Sequence, residues 1–540
     1  MGIFVIRGAG IFKMFRFLKK IRSLKSSSTN GAQNNQANGE SIDIKLNSNL
    51  NKLQQIFEHS ADVKFREFEI YNRAPVNVFV CFIQGLVSEE YINFHIIKPL
   101  MRADLFEDIE NTSSEDLLKI IGKRVLSSSD IKEVQTMDKV NEGILAGKAI
   151  IFLDGFRKAL LIGAHGFESR GIEEPETEAS VRGSREGFNE VLKVNISLIR
   201  RRIQNKKLVF EDMQIGKQTK TNIWIGYIKG IANPEVIDEV RNRLKRIDTD
   251  MILESGYIEQ FIEDHPYSIF PTVGNSEKPD KVSGKILEGR IAIFCDGTPF
   301  VLTVPHLFIE SIQVPEDYYS RPYLASLMRL FRILALFLTI STPAIFVSVA
   351  TYHHEMVPSL LLTTMAAAEE KVPFPAFLEA LLMIILFELL REAGVRMPRP
   401  VGSAISIVGA LVIGEAAVQA GLVSAPMVIV VALTAITGFI VTSLNDAVIL
   451  ARFFLLFLSG ALGFYGLLMG TFVLIGHVCS LRSFGTPYLT PMGPIFFSEW
   501  KDAIIRMPLW FLKSRPQSIT WTESKREGSE NKPGRPEGES

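Results

Sequence analysis

The sequence predicts an α/β region of two duplicated subdomains, followed by an α-helical polytopic transmembrane domain. Three observations predict it. Charged residues are dense up to about residue 320, scarce from about 333 to 481, and frequent again after 482. Within the charged front half, two blocks of sequence recur in the same order. Within the charge-poor half, uncharged runs reach the roughly 20 residues that a helix needs to cross a hydrocarbon core. A chain of 540 residues has room for two or three domains, so division of labour is expected.

The leading stretch to residue 49 reads as a tail. Met1 to Lys25 interleaves Ile3, Phe4, Phe12 and Phe15 with Arg7, Lys13, Arg16 and Lys19. It lacks the uninterrupted apolar run of a signal peptide, which leaves a basic amphipathic tail or a disordered leader. Ser26 to Asn49 is rich in Ser, Asn, Gln and Gly and reads as a flexible linker.

The first α/β subdomain is expected over 50–165 and the second over 211–320. Asn77 to Glu90 lines up with Asn222 to Glu235, apolar residue against apolar residue, and Gly147 to Gly155 lines up with Gly289 to Gly297. Matched blocks in one order indicate duplicated units. Each copy opens with a β-branched and aromatic run that ends in Gly and is followed by a Ser or Asn suited to capping a helix. Each later carries an apolar run into Asp-Gly and out into a second apolar run, which is the pattern of a hairpin. Asp154 and Asp296 are therefore expected as turn residues rather than catalytic acids.

Between the copies, 166–210 reads as a basic helical linker. It holds Glu174-Pro175, then Arg182-Gly183 and Arg185, then a helical stretch with Asn195 and Arg200-Arg201-Arg202. Two readings are open on spacing alone: the cationic clusters bind phosphate or lipid headgroups, or they form a solvated face paired with Glu173, Glu176 and Glu178.

The transmembrane domain is expected over 321–481. Ile333 to Tyr352 is the first span, with Arg329 and Arg332 on its entering side, and Phe374 to Leu390 the second, followed by Arg391, Arg396 and Arg399. Basic residues on both of these ends place the front half on the cytosolic side. Val401 to Ala425, Pro426 to Leu444 and Phe453 to Leu481 supply further apolar runs. Five simple crossings would put the basic segment 482–515 outside, against the positive-inside tendency. Either a later segment is re-entrant, or the last run turns near Gly463-Phe464-Tyr465-Gly466 and crosses twice. Residues 516–540 read as a disordered tail. Ionisable residues inside apolar segments are costly, so Glu379 and Glu415, the deepest, and Glu355 and Glu369 in a short segment that can dip into the membrane, are the candidate pore or gating residues.

Other function classes find little support. The three cysteines, Cys81, Cys295 and Cys479, are far apart and make no metal-ligand or disulfide pattern. No phosphate-binding loop, nucleophile elbow or metal-spaced His/Cys set occurs, so no enzyme, cofactor or metal is expected. Lys plus Arg and Asp plus Glu each number 59; this balance decides nothing about nucleic acid, and no such partner is expected.

The chain resembles a known family in residues already quoted. Glu168-Ser169-Arg170 with Glu174-Pro175-Glu176, Val181-Arg182-Gly183 with Arg185-Glu186-Gly187-Phe188, Asn195 with Arg200-Arg201-Arg202-Ile203, Pro373-Phe374-Pro375-Ala376 and Ser424-Ala425-Pro426-Met427-Val428 are similar to blocks of the A subunits of GerA-family bacterial spore germinant receptors. Ser184 stands where such subunits often have Pro. The resemblance implies a nutrient-sensing subunit of the inner spore membrane. It further implies a transporter-like B subunit that receives the germinant and a lipoprotein C subunit as partners. A homo-oligomeric ring, a pentamer in this reading, would form a ligand-gated cation channel. A substrate or ion transporter subunit is the alternative; it would call for repeats in the membrane half, whereas the repeat lies in the soluble half.

Overall fold

The computed structural model describes residues 40–526 and 528, except 59, 73, 103–113, 129, 165, 167–173, 176, 179, 181, 397–413 and 523. The expectations for the basic tail and for most of the apolar segment starting at Val401 fall outside the described residues.

Both front-half units have the same architecture. The first contains helix α1 (Leu46–Ile56), strands β1 (Val63–Asn72), β2 (Ala74–Ile83) and β3 (Ile131–Val134), helix α2 (Met137–Leu145), and strands β4 (Lys148–Leu153) and β5 (Ala159–Gly163). The second contains α3 (Leu192–Arg202), β6 (Leu208–Ile215), β7 (Thr221–Ile228), α4 (Pro234–Lys245), α5 (Ser255–Ile262), β8 (Gly274–Ser276), α6 (Pro279–Glu288), β9 (Ile291–Cys295) and β10 (Val301–Val304). The strand orders are β1-β2-β4-β5-β3 and β6-β7-β9-β10-β8. All these pairings are antiparallel.

Helices cover both faces of each sheet. In the first unit α1 and α2 bury Leu50, Leu53 and Val140 against one face, and helical turns over 89–100 and 114–125 bury Ile96 and Ile121 on the other. In the second, α3 and α6 contribute Ile196 and Ile286 to one face, while α4 and α5 contribute Val240 and Ile258 to the opposite one. Strands buried on both sides carry apolar residues without alternation, which is why β4 and β9 are legible as continuous runs. Each fully buried aliphatic or Phe side chain contributes about 1.5–3 kcal/mol.

The capping and hairpin expectations hold in both copies. Ser88 accepts from Tyr91 N–H, Asn233 accepts from Glu235 N–H, and β4–β5 and β9–β10 are the hairpins. The repeat also reaches further upstream than the two sequence blocks. Leu46-Asn47-Ser48-Asn49-Leu50 corresponds to Leu192-Lys193-Val194-Asn195-Ile196. Helix α1 thus lies across the boundary expected at residue 50, and α3, expected within a linker, packs into the core of the second unit.

The charge-poor half is a helical bundle of α7 (Pro322–Thr351), α8 (Ser359–Glu369), α9 (Ala376–Arg396), α10 (Ala425–Gly438) and α11 (Asn445–Ser480). By length and composition, α7 and the segment Thr442–Ser480 are long and apolar enough to cross a membrane. The second of these is two arms rather than one rod. Gly463 has φ 59° and ψ −141°, a backbone region open essentially to glycine alone. A Cβ on Gly470 would lie 2.6 Å from Leu455 Cδ2, and one on Gly466 would collide with Leu458 O. In a straight helix, residues 8 and 15 apart are separated by about 12 and 22 Å. The chain therefore turns back at Gly463, one of the two alternatives left open by the sequence. Its arms run over 445–462 and 464–480, and Val448 and Val478 meet in one cluster at the open end. The first arm begins at Asn445 rather than Phe453, because Arg452 is buried inside the bundle.

Residues 481–522 return to the second unit. Ser483 Oγ donates to Thr272 O, Thr520 Oγ1 donates to Glu288 O, and Trp521 N–H donates to Ile231 O. Ile519, in a stretch whose composition reads as tail, is buried with Leu307, Ile309 and Ile312.

Candidate functional site

Three groups of residues are placed to couple the parts of the molecule. The first joins the two α/β units. Arg200, near the end of α3, donates from Nε to Asp62 Oδ2 at 2.7 Å and from Nη2 to Asp62 Oδ1 at 3.0 Å and Ser60 Oγ at 2.8 Å. Both side chains are 1% exposed, and the guanidinium lies 5.0 Å from the Phe210 ring centroid. Ala61 N–H donates to Phe210 O at 2.8 Å, adding a main-chain bond across the same junction. Arg200 is thus neither a lipid ligand on the surface nor part of a solvated face; it is a buried bidentate cation, the geometry for which guanidinium is suited.

Its neighbours divide differently. Arg201 and Arg202 pair with Glu186 at 3.0 and 2.5 Å, while Arg185 pairs with Glu174 at 3.1 Å on the exposed surface. Pro175 is half-buried beside Glu174, and Arg182 is exposed, its N–H donating to Glu316 at 3.3 Å. Gly183 has φ +148°, and a Cβ there would lie 2.8 Å from the Tyr319 ring. Asn195 is a locking residue: its Oδ1 accepts from Asn189 N–H at 2.9 Å and its Nδ2 donates to Asn189 O at 2.6 Å. Asn49 makes the same pair of bonds with Asp43. Asp154 and Asp296, besides sitting at their turns, accept from Leu46 and Leu192 N–H at 3.0 and 3.2 Å and so fix the starts of α1 and α3.

The second group lies where the second unit meets the bundle. Glu310 accepts from Arg290 at 3.0 and 2.8 Å and from Leu307 N–H at 2.9 Å, and it pairs with Lys285 at 3.1 Å. Burial alone would raise its pKa, but Arg290, Lys285 and His306 hold it well below the usual carboxylate range. Glu310, His306 and Glu259 line a cleft of about 760 Å³ that is closed on the other side by Thr442 to Asp446 at the start of α11. Burial, with the charges of Glu263 and Glu254, pushes Glu259 up to about 7. Arg329, expected at the membrane entrance, is 0% exposed and pairs with Asp317 at 2.8 Å and Asp502 at 3.0 Å. Arg332 also pairs with Asp317. Arg329 thus ties α7 to the returning C-terminal segment, while Arg332 holds α7 to the turn that precedes it.

The third group is inside the bundle. Arg452 pairs with Glu388 at 2.8 Å and donates to Thr339 O at 3.0 Å; Glu388 also pairs with Arg391 at 2.5 Å. Glu379 is 1% exposed and accepts from Ser424 N–H at the start of α10. A carboxylate suits that position, where the first helical N–H groups lack partners. Glu369 lies within electrostatic reach of Glu379, and its Oε1 is buried without a hydrogen-bond partner among the described residues. Glu415 and Glu355 are exposed. Depth therefore separates Glu379 from Glu415, which the sequence ranked together. Among the described residues no group of three His, Cys, Asp or Glu side chains is placed to hold a metal ion.

Residues 51–518 match the Bacillus/Clostridium GerA spore germination protein family. The chain belongs to the GerA family. It is 46% identical to spore germination protein KA of Bacillus subtilis (strain 168) over 494 residues, 91% of this chain and 90% of that protein. It is 38% identical to spore germination protein B1 of the same organism over 477 residues, 88% of this chain and 97% of that protein. With GerLA of Bacillus cereus it shares 37% identity over 468 residues, covering 86% and 93% of the two chains. The crystal structure of the N-terminal domain of the A subunit of the Bacillus megaterium spore germinant receptor GerK3 is 33% identical and covers 50% of this chain and 99% of that one, with a TM-score of 0.41. In this GerA-family chain, sequence reasoning found Arg200 and Asn195 through family blocks but missed their partners. The repeated Leu-x-x-Asn-apolar pattern carries a signal for Asn195; no local signal points to Asp62.

Proposed function

We propose that this chain is the A subunit of a spore germinant receptor, triggering germination in response to small-molecule germinants by oligomerising into a ligand-gated cation channel. A B subunit that binds germinant and a lipoprotein C subunit are its partners, and a ring, taken as a pentamer, is the working assembly. The observation that carries the subunit assignment is the family match over nearly the whole chain.

The bundle supports a multi-pass arrangement in the inner spore membrane. Arg391 bonds Asn445 at the end nearest the α/β units, whereas Glu379 and Ser424 meet at the opposite end. Among the described residues, α7, α9, α10 and the two arms of α11 run between these two ends. The second arm of α11 brings the basic C-terminal segment back to the side of the α/β units, in keeping with the positive-inside tendency. That side is the cytosol.

Cation selection falls to carboxylates that line the path. Glu415, exposed on a single chain within an apolar stretch, is costly against lipid and belongs at a lumen or a subunit contact. Glu379 and Glu369, gathered at the far end, are gating candidates, with Glu355 exposed in the turn before α8. Flux through liposomes holding the purified receptor tests this. Germinant-dependent cation flux is expected from wild type and reduced flux from Glu379→Gln and Glu415→Gln. Unchanged flux in both variants removes those carboxylates from the path, and absence of flux from wild type with all partners and germinant present overturns the channel.

A further inference from the structure

The segment 495–513 and the first turns of α7 present an apolar and aromatic surface that the other described residues do not cover. Helix α7 is 30 residues long, about 45 Å at 1.5 Å per residue. The two ends of α11 lie level with Ala335, which clusters with Val441, Leu444, Ala447, Val478 and Leu481. The first part of α7 therefore projects beyond the bundle toward the α/β units. Water would meet Leu327, Met328, Leu330 and Phe331 there, all substantially exposed. Beside them Met492 and Ile333 both pack on the cluster of Leu307, Ile309, Ile312 and Ala503, and the chain then exposes Ile495 and Phe497, the latter 76% exposed with its ring 5.7 Å from that of Trp500.

Charge on this segment is sorted by direction. Its two acids turn inward, Glu499 accepting from Ser518 and Asp502 pairing with Arg329, and Arg506 is buried against Ser326 and Tyr318. Lys501 and Lys513 remain exposed. Outward aromatic and aliphatic side chains mixed with lysines, at the level where an apolar bundle ends, are the chemistry of a helix-bundle protein's headgroup boundary.

We propose that residues 495–513, together with residues 327–331 of α7, form a collar seated in the headgroup layer of an anionic lipid leaflet on the side of the α/β units. The inference rests on the multi-pass reading above and adds a lipid contact made by the C-terminal segment. The collar would hold α7 and the returning segment at one depth, so that a shift of the bundle is transmitted to the second α/β unit through Arg329 and Asp502.

The test uses the full chain in nanodiscs containing phosphatidylglycerol. Cys479→Ser removes the exposed thiol, leaving the buried Cys81 and Cys295, and nitroxide labels are placed singly by Phe497→Cys, Phe472→Cys on the second arm of α11 and Ile44→Cys on the first unit, all exposed positions. Spin-label accessibility to oxygen and to a water-soluble nickel chelate is then measured. At position 497 oxygen access is expected to exceed chelate access several-fold, at a depth shallower than at 472, with the reverse ratio at 44. Chelate access at 497 as high as at 44 overturns the collar, and protection from both quenchers, as at a contact between copies, overturns it too. If position 472 itself is chelate-accessible, the multi-pass reading fails, which separates the two outcomes.

Discussion

Removing Arg200 should loosen the junction between the two α/β units while leaving each unit folded. Arg200→Met deletes three hydrogen bonds and strands Asp62, 1% exposed, without its cation. Breaking a buried ion pair by removing one partner costs about 3–5 kcal/mol, because the remaining charge stays desolvated. The Ala61 N–H bonded to Phe210 O reports the opening directly in amide exchange on the full chain. At about 1.4 kcal/mol per factor of ten, its exchange should accelerate roughly a hundred- to several-thousand-fold. Amides in the centres of β4 and β9 should change much less. The double variant Arg200→Met with Asp62→Leu removes both charges and fills the space with apolar atoms, so it should recover most of the protection. Acceleration below about fivefold in the single variant, or a double variant as open as the sum of its singles, would refute the buried-pair reasoning.

Three further outcomes are expected. Glu259 keeps its proton to about pH 7, against an ordinary value of 4.5, so the folded chain binds more protons than the unfolded one between these values; stability should fall as pH rises through that window, by about 3 kcal/mol, and Glu259→Gln should flatten the dependence in chemical denaturation. Gly463→Ala forces a Cβ into a positive-φ turn beside Tyr352 and His353, which should cost about 1–3 kcal/mol and lower the melting temperature of the detergent-solubilised chain; an unchanged melting temperature would contradict the folded-back α11. Asn195→Ala leaves the Asn189 N–H and C=O without their side-chain partner and should destabilise the second unit by about 1–3 kcal/mol, measured by Trp224 fluorescence in urea.

Much of the fold could be read because its determinants are local. The runs in β4 and β9, the Asp-Gly turns and the caps at Ser88 and Asn233 each lie within a few residues of the feature they specify. Gly463 was legible as a turn in an overlong apolar run for the same reason. Long-range pairing was not. Asp62 and Arg200 are 138 residues apart, and Arg329 finds Asp502 across 173, so a count of basic residues near a helix end cannot tell a buried cation from a headgroup contact. Helix α1 was hidden by its composition, since Asn47, Ser48, Asn49 and Asn51 mask the spacing of Leu46, Leu50 and Leu53. Glu415 and Glu379 look alike in sequence because each interrupts an apolar run; only the packing of Glu379 on the Ser424 amide separates them.

The strap of residues 481–522 has a mechanical consequence. It starts from the last arm of α11, is pinned by Asp502 to α7 and ends on Ile231 and Glu288. Both extremities of the bundle and the second α/β unit therefore belong to one closed loop of chain. The first unit stands outside that loop. It is joined to the second through the Arg200 pair and the Ala61 bond, so any load on the first unit enters the closed loop by way of the second.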